Sequence, residues 1–142
     1  MMFGLLFENT SMPVLEQVMA FTEERQHVLA DNVANLDTPG YRATDLPVSE
    51  FTGALCEAIE QRDESTPRRF RMRSTQNINY ERGMHASRVT VGGQMNFYDG
   101  GNRSVETLMN EMGKNALWHS AAVELFRQQG RLLETAIRER VS

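Results

Sequence analysis

The stretch ANLDTPGYRATDL, Ala34 to Leu46, decides how the rest of the chain reads. Upstream of it, Leu15, Met19, Leu29, Val33 and Leu36 recur at helical spacing, and Thr38 precedes a proline, which biases it away from helical dihedrals. A helix is therefore expected to stop near Leu36. Pro39 and Gly40 supply the preset φ and then the positive φ that the two central positions of a type II turn require. Tyr41 is thereby aimed back onto the helix, and the chain leaves in an extended segment. No catalytic chemistry is needed to explain the stretch.

Toward the amino terminus, the helix is expected to begin around Ser11 to Pro13, where a capping hydroxyl precedes a proline tolerated in the first turn. Its apolar stripe is interrupted by Thr22 and Gln26, with Phe21 and Val28 beside it. Such a stripe faces a core or a partner helix. Asn32 and Asn35 sit three apart near its end and project from a similar face. Asparagine is a weak helix former whose amide needs partners when buried. Two roles stay open. Either Asn35 helps terminate the helix and Asn32 is solvated, or the pair fixes register against another chain, as a buried polar residue does in coiled coils.

The opening MMFGLLF is apolar but short, lacks a basic flank and is followed by Glu8, which argues against a cleaved secretory signal. No run approaches membrane-spanning length. With 142 residues there is room for one domain, or for one elongated unit with a loosely held middle. Hydrophobic content is 40%, low for a compact globule, while methionine is frequent at nine residues. Cys56 is alone, so neither an intrachain disulfide nor a cysteine metal cluster is available.

The carboxy-terminal segment has the cleanest period. Alternating steps of four and three from Val105 meet Met109, Met112, Ala116, His119, Val123, Phe126, Gly130, Leu133 and Ile137, a seam sustained over roughly four heptads. Leu108, Leu117, Leu125 and Leu132 widen the apolar face. A lone helix this apolar needs a covering partner in water, either the first helix or neighbouring subunits.

Charge separates the two helical ends from a different middle. Residues 1–61 carry ten acidic and two basic side chains, residues 62–103 carry four and eight, and residues 104–142 carry five of each. The expected fold is mainly α, with paired long terminal helices packed in a coiled-coil-like manner. Residues 1–61 hold the first helix, the turn and the extended segment, and 105–142 hold the last helix. Between them, residues 62–104 form a flexible arginine- and glycine-rich insert. Within the insert, Arg88–Val91 and Met95–Tyr98 flank Gly92 and Gly93 as a hairpin would. Arg68, Arg69, Arg71 and Arg73 around Phe70 suit an acidic surface or nucleic acid, although a solvated loop is the more ordinary reading.

Catalytic constellations are not found. His27, His85 and His119 are far apart and none lies in a paired motif, while His119 falls on the apolar seam, where a packed, hydrogen-bonded histidine is expected. GGQMNF and DGGNR lack the spacing of a phosphate-cradling loop. No catalytic, metal or cofactor residue is assigned.

TEERQHVLADNVANLDTPGYRATDLPVSEF (22–51) together with DGGNRSVETLMNEMGKNALWHSAAVELF (99–126) resembles the bacterial flagellar basal-body rod family, part of the rod and hook axial proteins. The family signature ANxANxxTPGY matches Ala30 through Tyr41, with Asp31 following the leading alanine. The continuation DLPVSEF, the short chain, and Asp99, Gly100, Asn102, Val105, Glu106, Glu111 and Met112 favour the FlgB type, in the proximal rod, over the FlgC type. Trp118 stands where the family often has tyrosine, and Gly130 weakens the last helix by roughly 1 kcal/mol relative to alanine. The middle does not align.

The resemblance implies terminal helices packed together and stacked against copies and relatives in a tubular rod that transmits torque around the export channel. It implies export through the flagellar type III apparatus without a cleaved signal, a basal-body location near the MS ring and export gate, and neither nucleic acid nor small-molecule substrate as partner. Physically, a head-to-tail contact that does not close produces a helical array, and flexible thioethers at Met19, Met109 and Met112 suit either non-identical neighbours or gap filling. Assembly is expected to rest on Asn32, Asn35, Leu36, Thr38, Pro39, Gly40 and Tyr41, with Val105, Met109, Met112, Ala116, Val123, Phe126, Leu133 and Ile137. Two other classes remain: a helical adaptor or export chaperone that forms a discrete complex, and an arginine-dependent nucleic-acid binder whose affinity falls steeply with salt.

Overall fold

The structure, a computed structural model, describes residues 10–63, 70–91 and 102–141. Three helices dominate it: α1 (Met12–Ala34), α2 (Val48–Asp63) and α3 (Asn102–Val141). Four two-residue strands join them: β1 (Thr44–Asp45), β2 (Ile78–Asn79), β3 (His85–Ala86) and β4 (Val89–Thr90). The mainly helical class with long terminal helices is as the sequence predicts. No helix among the described residues is long and apolar enough to cross a membrane.

α1 starts where Pro13 can occupy the first turn. The cap differs from expectation. Ser11 makes no side-chain cap bond, and Thr10 Oγ1 accepts the Met12 N–H at 3.3 Å instead. The buried face is Leu15, Val18, Phe21, Thr22, Arg25, Val28, Leu29 and Asn32. Thr22, expected to interrupt the stripe, belongs to it, whereas Met19 and Val33 are only half-buried.

α1 and α3 run antiparallel. Arg25 meets Glu111, Thr22 meets Asn115 and His119, and Phe21 meets Trp118, so numbers rise on one helix as they fall on the other. The aromatic centre sits where α2 joins the pair. Phe21 and Phe51 stack with centroids 4.0 Å apart and planes 8° apart, and both present to Trp118 edge-on at about 6 Å. Around them pack Leu15, Val18, Val28, Leu46, Ala54, Leu55, Ala58, Met72, Ile78 and Ala122.

Three expectations change. The extended segment after the turn is only β1 long, because Phe51, Ala54, Leu55 and Ala58 repeat at helical spacing and bury one face of α2. Val89–Thr90 is a strand, but it pairs antiparallel with β1, Thr44 opposite Thr90 and Asp45 opposite Val89, and so closes back on the segment after the turn. The proposed partner run Met95–Tyr98 lies outside the described residues. Finally, residues 70–91 are tied to the helices. β2 and β3 pair Ile78 with Ala86 and Asn79 with His85, and Met72 and Ile78 are buried in the core. Glu50 on α2 clamps this hairpin, accepting from Thr75 Oγ1 at 2.7 Å, from the Asn77 N–H at 3.2 Å and from Asn77 Nδ2. These bonds hold its carboxyl below the ordinary glutamate range.

The face of α3 that packs inward coincides with the predicted seam only in part. Leu108, Asn115 and Ala122 are buried, seven residues apart, and Met112, Trp118, His119, Val123, Phe126 and Leu133 are half-buried. Val105, Met109, Ala116 and Ile137 of the predicted seam are exposed.

Candidate assembly site

Thr38 to Tyr41 form the turn that Pro39 and Gly40 require. Gly40 has φ +76°, and the Tyr41 N–H donates to the Thr38 carbonyl at 3.2 Å, closing a type II turn. Tyr41 does fold back onto the helix: its hydroxyl donates to Asn32 Oδ1 at 3.0 Å.

Asn32 is the centre of this corner. It is 1% exposed, its Oδ1 also accepts the Thr44 N–H at 3.1 Å, and its Nδ2 donates to the Thr44 carbonyl at 2.6 Å. One side chain thus mimics a strand, satisfying both backbone groups of Thr44 from inside a helix. Neither open role survives for Asn32, since it is not solvated and every amide atom is engaged within the chain. Asn35 does terminate the helix. Its N–H bonds the Asp31 and Asn32 carbonyls, its Nδ2 donates to the Asp31 carbonyl at 2.8 Å, and its Oδ1 accepts from Thr38 Oγ1 at 3.3 Å. Thr38, Pro39 and Gly40 form an exposed tip, with Leu36 and Tyr41 half-buried beneath it.

A second polar staple was not anticipated from the sequence. Arg25, with a side chain 7% exposed, donates Nε to Asp45 Oδ1 at 2.9 Å, and its Nη2 meets Asp45 Oδ2 at 2.7 Å and Glu111 Oε2 at 2.9 Å. It ties α1, β1 and α3 together. Burial opposes the arginine's charge, but the two carboxylates outweigh it and its pKa lies above the ordinary value. Glu111 is held below its ordinary value by Lys114, 3.0 Å away, and by Arg25. The available signal was an arginine at the centre of a run that is otherwise buried, Val18, Phe21, Thr22, Val28 and Leu29, since a buried cation demands partners.

His119 is packed and bonded as expected, with Nδ1 2.8 Å from Thr22 Oγ1, while His27 and His85 are exposed and remain apart from it. Among the described residues no group of three or more His, Cys, Asp or Glu could hold a metal ion. Of the arginine cluster, Arg73 pairs with Glu57 at 2.9 Å and Arg71 is exposed, while Arg68 and Arg69 lie outside the described residues.

The assembly residues predicted on α3 divide into two groups. Met112, Val123, Phe126 and Leu133 lean on the fold, whereas Val105, Met109, Ala116 and Ile137 face solvent. The most exposed apolar side chains on α3 are two leucines outside that seam, Leu117 at 74% and Leu132 at 58%, followed by Leu125 and the seam's own Met109 at 50% each.

A family model described as Flagella basal body rod protein matches residues 19–42, the second half of α1 and the turn. The flagellar basal body rod protein FlgB of Escherichia coli K12 and that of Shigella flexneri are each 38% identical to this chain over 64 residues. The alignment spans 44% of this chain and 44% of each relative. No solved structure matches. The helix end and turn matched by the family model are where Asn32, Tyr41 and Gly40 interlock, and the chain is FlgB-like, similar to the flagellar basal-body rod proteins.

Proposed function

We propose that the chain is a non-enzymatic structural subunit of the flagellar basal-body proximal rod, assembling with copies of itself and with other axial proteins. In this role it transmits torque and surrounds the export channel, close to the MS ring and the type III export gate, after export without a cleaved signal. One observation carries the reading beyond the likeness to FlgB. α3 has 40 residues against 23 in α1, and it holds Met109, Leu117, Leu125, Leu132 and Ile137 out in solvent. Apolar side chains repeated along one long helix mark a surface that another chain covers. The exposed Thr38–Gly40 tip adds a rigid, preset contact at the opposite end of the unit from the α3 carboxy terminus.

Deletion of the gene followed by imaging of basal bodies tests the reading. Absent or truncated rods are expected, and complete rods in the deletion strain exclude the role.

A further inference from the structure

Beside the face of α3 that leans on α1 and α2, a second face runs through solvent from Lys114 to Glu139. Its positions follow steps of three, four, four, three, four, four and three residues, and every one of them is exposed. One three and two fours make an eleven-residue repeat, which drifts around a straight helix more slowly than a seven-residue repeat does. Leu117 at 74%, Leu132 at 58% and Leu125 at 50% carry its apolar surface.

The order of the steps is the same from either end, so the face coincides with itself when a second α3 is laid against it antiparallel. Lys114 then meets Glu139 of the other copy, Leu117 meets Ala136, Ala121 meets Leu132 and Leu125 meets Gln128, and the two-fold axis repeats each contact. Every layer is complementary. Opposite charges close the ends, a large side chain covers a small one inside them, and Leu125 lies along the methylene stem of Gln128 beside the axis. A parallel pairing instead sets lysine on lysine and glutamate on glutamate. Lys114 already meets Glu111 at 3.0 Å, but its ammonium has three protons and its side chain is 61% exposed, so it can serve a second carboxylate. Because the sequence of this face is its own complement, the occupant it specifies is a copy of itself.

We propose that this face of α3 is a docking site for the same face of a second copy, giving a closed antiparallel pair of the free chain in which Lys114 of each copy bonds Glu139 of the other. An isologous contact uses itself up and cannot propagate. The pair therefore goes beyond the rod reading and stands on α3 alone: in a rod it opens before another chain covers the leucines. With three leucines a side the contact belongs to the small, transient class, with a dissociation constant of roughly 100 µM, and the chain is single at the lower concentrations of an unfolding experiment.

Sedimentation equilibrium of the purified full chain, from about 10 µM to about 1 mM to bracket that constant, should show single chains passing to pairs and nothing larger. Lys114→Glu and Glu139→Lys should each weaken pairing about tenfold, since both ends of the pair then carry like charges. The chain carrying both changes should pair as the parent does. In a Cys56→Ser background, Lys114→Cys chains mixed with Glu139→Cys chains should form a mixed disulfide under mild oxidation. Neither variant should link to itself, because identical positions stand about 37 Å apart along the helices. Single chains throughout, growth beyond pairs, a double variant no better than the single ones, or same-residue disulfides as abundant as mixed ones overturns the pair. Any of these leaves the rod reading standing if the deletion strain lacks rods, and pairing as described does not rescue that reading if its rods are complete.

Discussion

Replacing Asn32 by alanine removes three hydrogen bonds from one buried point: two to the backbone of Thr44 and one from the Tyr41 hydroxyl. At about 0.5–1.5 kcal/mol net for each bond, the loss is about 2–4 kcal/mol. Asn35→Ala removes bonds at the surface, where water replaces them, and should cost well under about 1 kcal/mol. The contrast matters because the two asparagines look alike in sequence, three residues apart on one helix. Urea unfolding of the purified chain, followed by circular dichroism, measures both. With a slope of roughly 2 kcal/mol per molar urea, Asn32→Ala should lower the midpoint by about 1–2 M. Amide exchange at Thr44 should accelerate in the same variant, since its N–H loses the Asn32 acceptor. If Asn32→Ala unfolds at the same urea concentration as the parent, or if Asn35→Ala is equally damaging, the corner is not held as described.

Four further outcomes follow from the same geometry. At Gly40 an added Cβ meets nothing within 4 Å, so substitution there is penalised by φ alone: valine should cost about 1–2 kcal/mol and asparagine clearly less, read from the same unfolding curves. Arg25→Met removes the cation between two partly buried carboxylates and should cost about 2–3 kcal/mol, below the full value for a wholly buried pair because both keep some water, Glu111 keeps Lys114 and Asp45 keeps the Leu46 N–H. Because the folded pKa of Glu50 is depressed, its clamp contributes above the ordinary value of 4.5 and is lost as the pH falls through the lower folded value; the protection of the Asn77 and Ile78 amides relative to their intrinsic exchange rates should fall in acid, and Glu50→Gln should flatten that dependence. Tyr80, whose hydroxyl is buried without a partner and faces the charge of Glu50, should ionise only at about 12, visible as a late step in the ultraviolet titration of the tyrosines.

What the sequence made legible is the geometry that local chemistry dictates. Pro39 and Gly40 specify their turn through φ, and the fold obeys. The ends of α1 are right to within two residues, for Pro13 and Thr38–Pro39 constrain the backbone irrespective of tertiary contacts. α2 was hidden because its apolar positions are few and two of the four are alanine, so the extended reading of DLPVSEF had nothing opposing it. The pairing of β4 with β1 was hidden for a different reason. Two-residue strands carry no periodicity, and glycines beside Val91 suggested a local partner when the available one lay some 45 residues earlier. Asn32 was ambiguous because its role depends on Thr44, which only the turn brings within reach.

That the predicted seam of α3 packs inward only in part has a more instructive cause. Hydrophobic periodicity locates the apolar face of a helix, and it is natural to assign that face to the intramolecular partner. Here the contact between α1 and α3 is built substantially from polar groups: Arg25 to Glu111, Thr22 to His119, and Asn115 to Thr22 and Gln26. Buried polar pairs contribute little net stability against apolar replacements, but a one-turn slip of either helix breaks all of them together, so they hold one register. The strongest apolar residues, Leu117, Leu125 and Leu132, are then released from that duty and stand outside it. Such a division of labour predicts a measurable asymmetry. Leu117→Glu, at a side chain 74% exposed, should leave the unfolding midpoint of the isolated chain unchanged within about 0.5 kcal/mol yet abolish its incorporation into basal bodies. Phe21→Ala, in the aromatic stack, should cost about 3–5 kcal/mol and fail in both assays. If Leu117→Glu destabilises the isolated chain as severely as Phe21→Ala does, the outward face of α3 belongs to the chain's own core, and the case for a covering neighbour is lost.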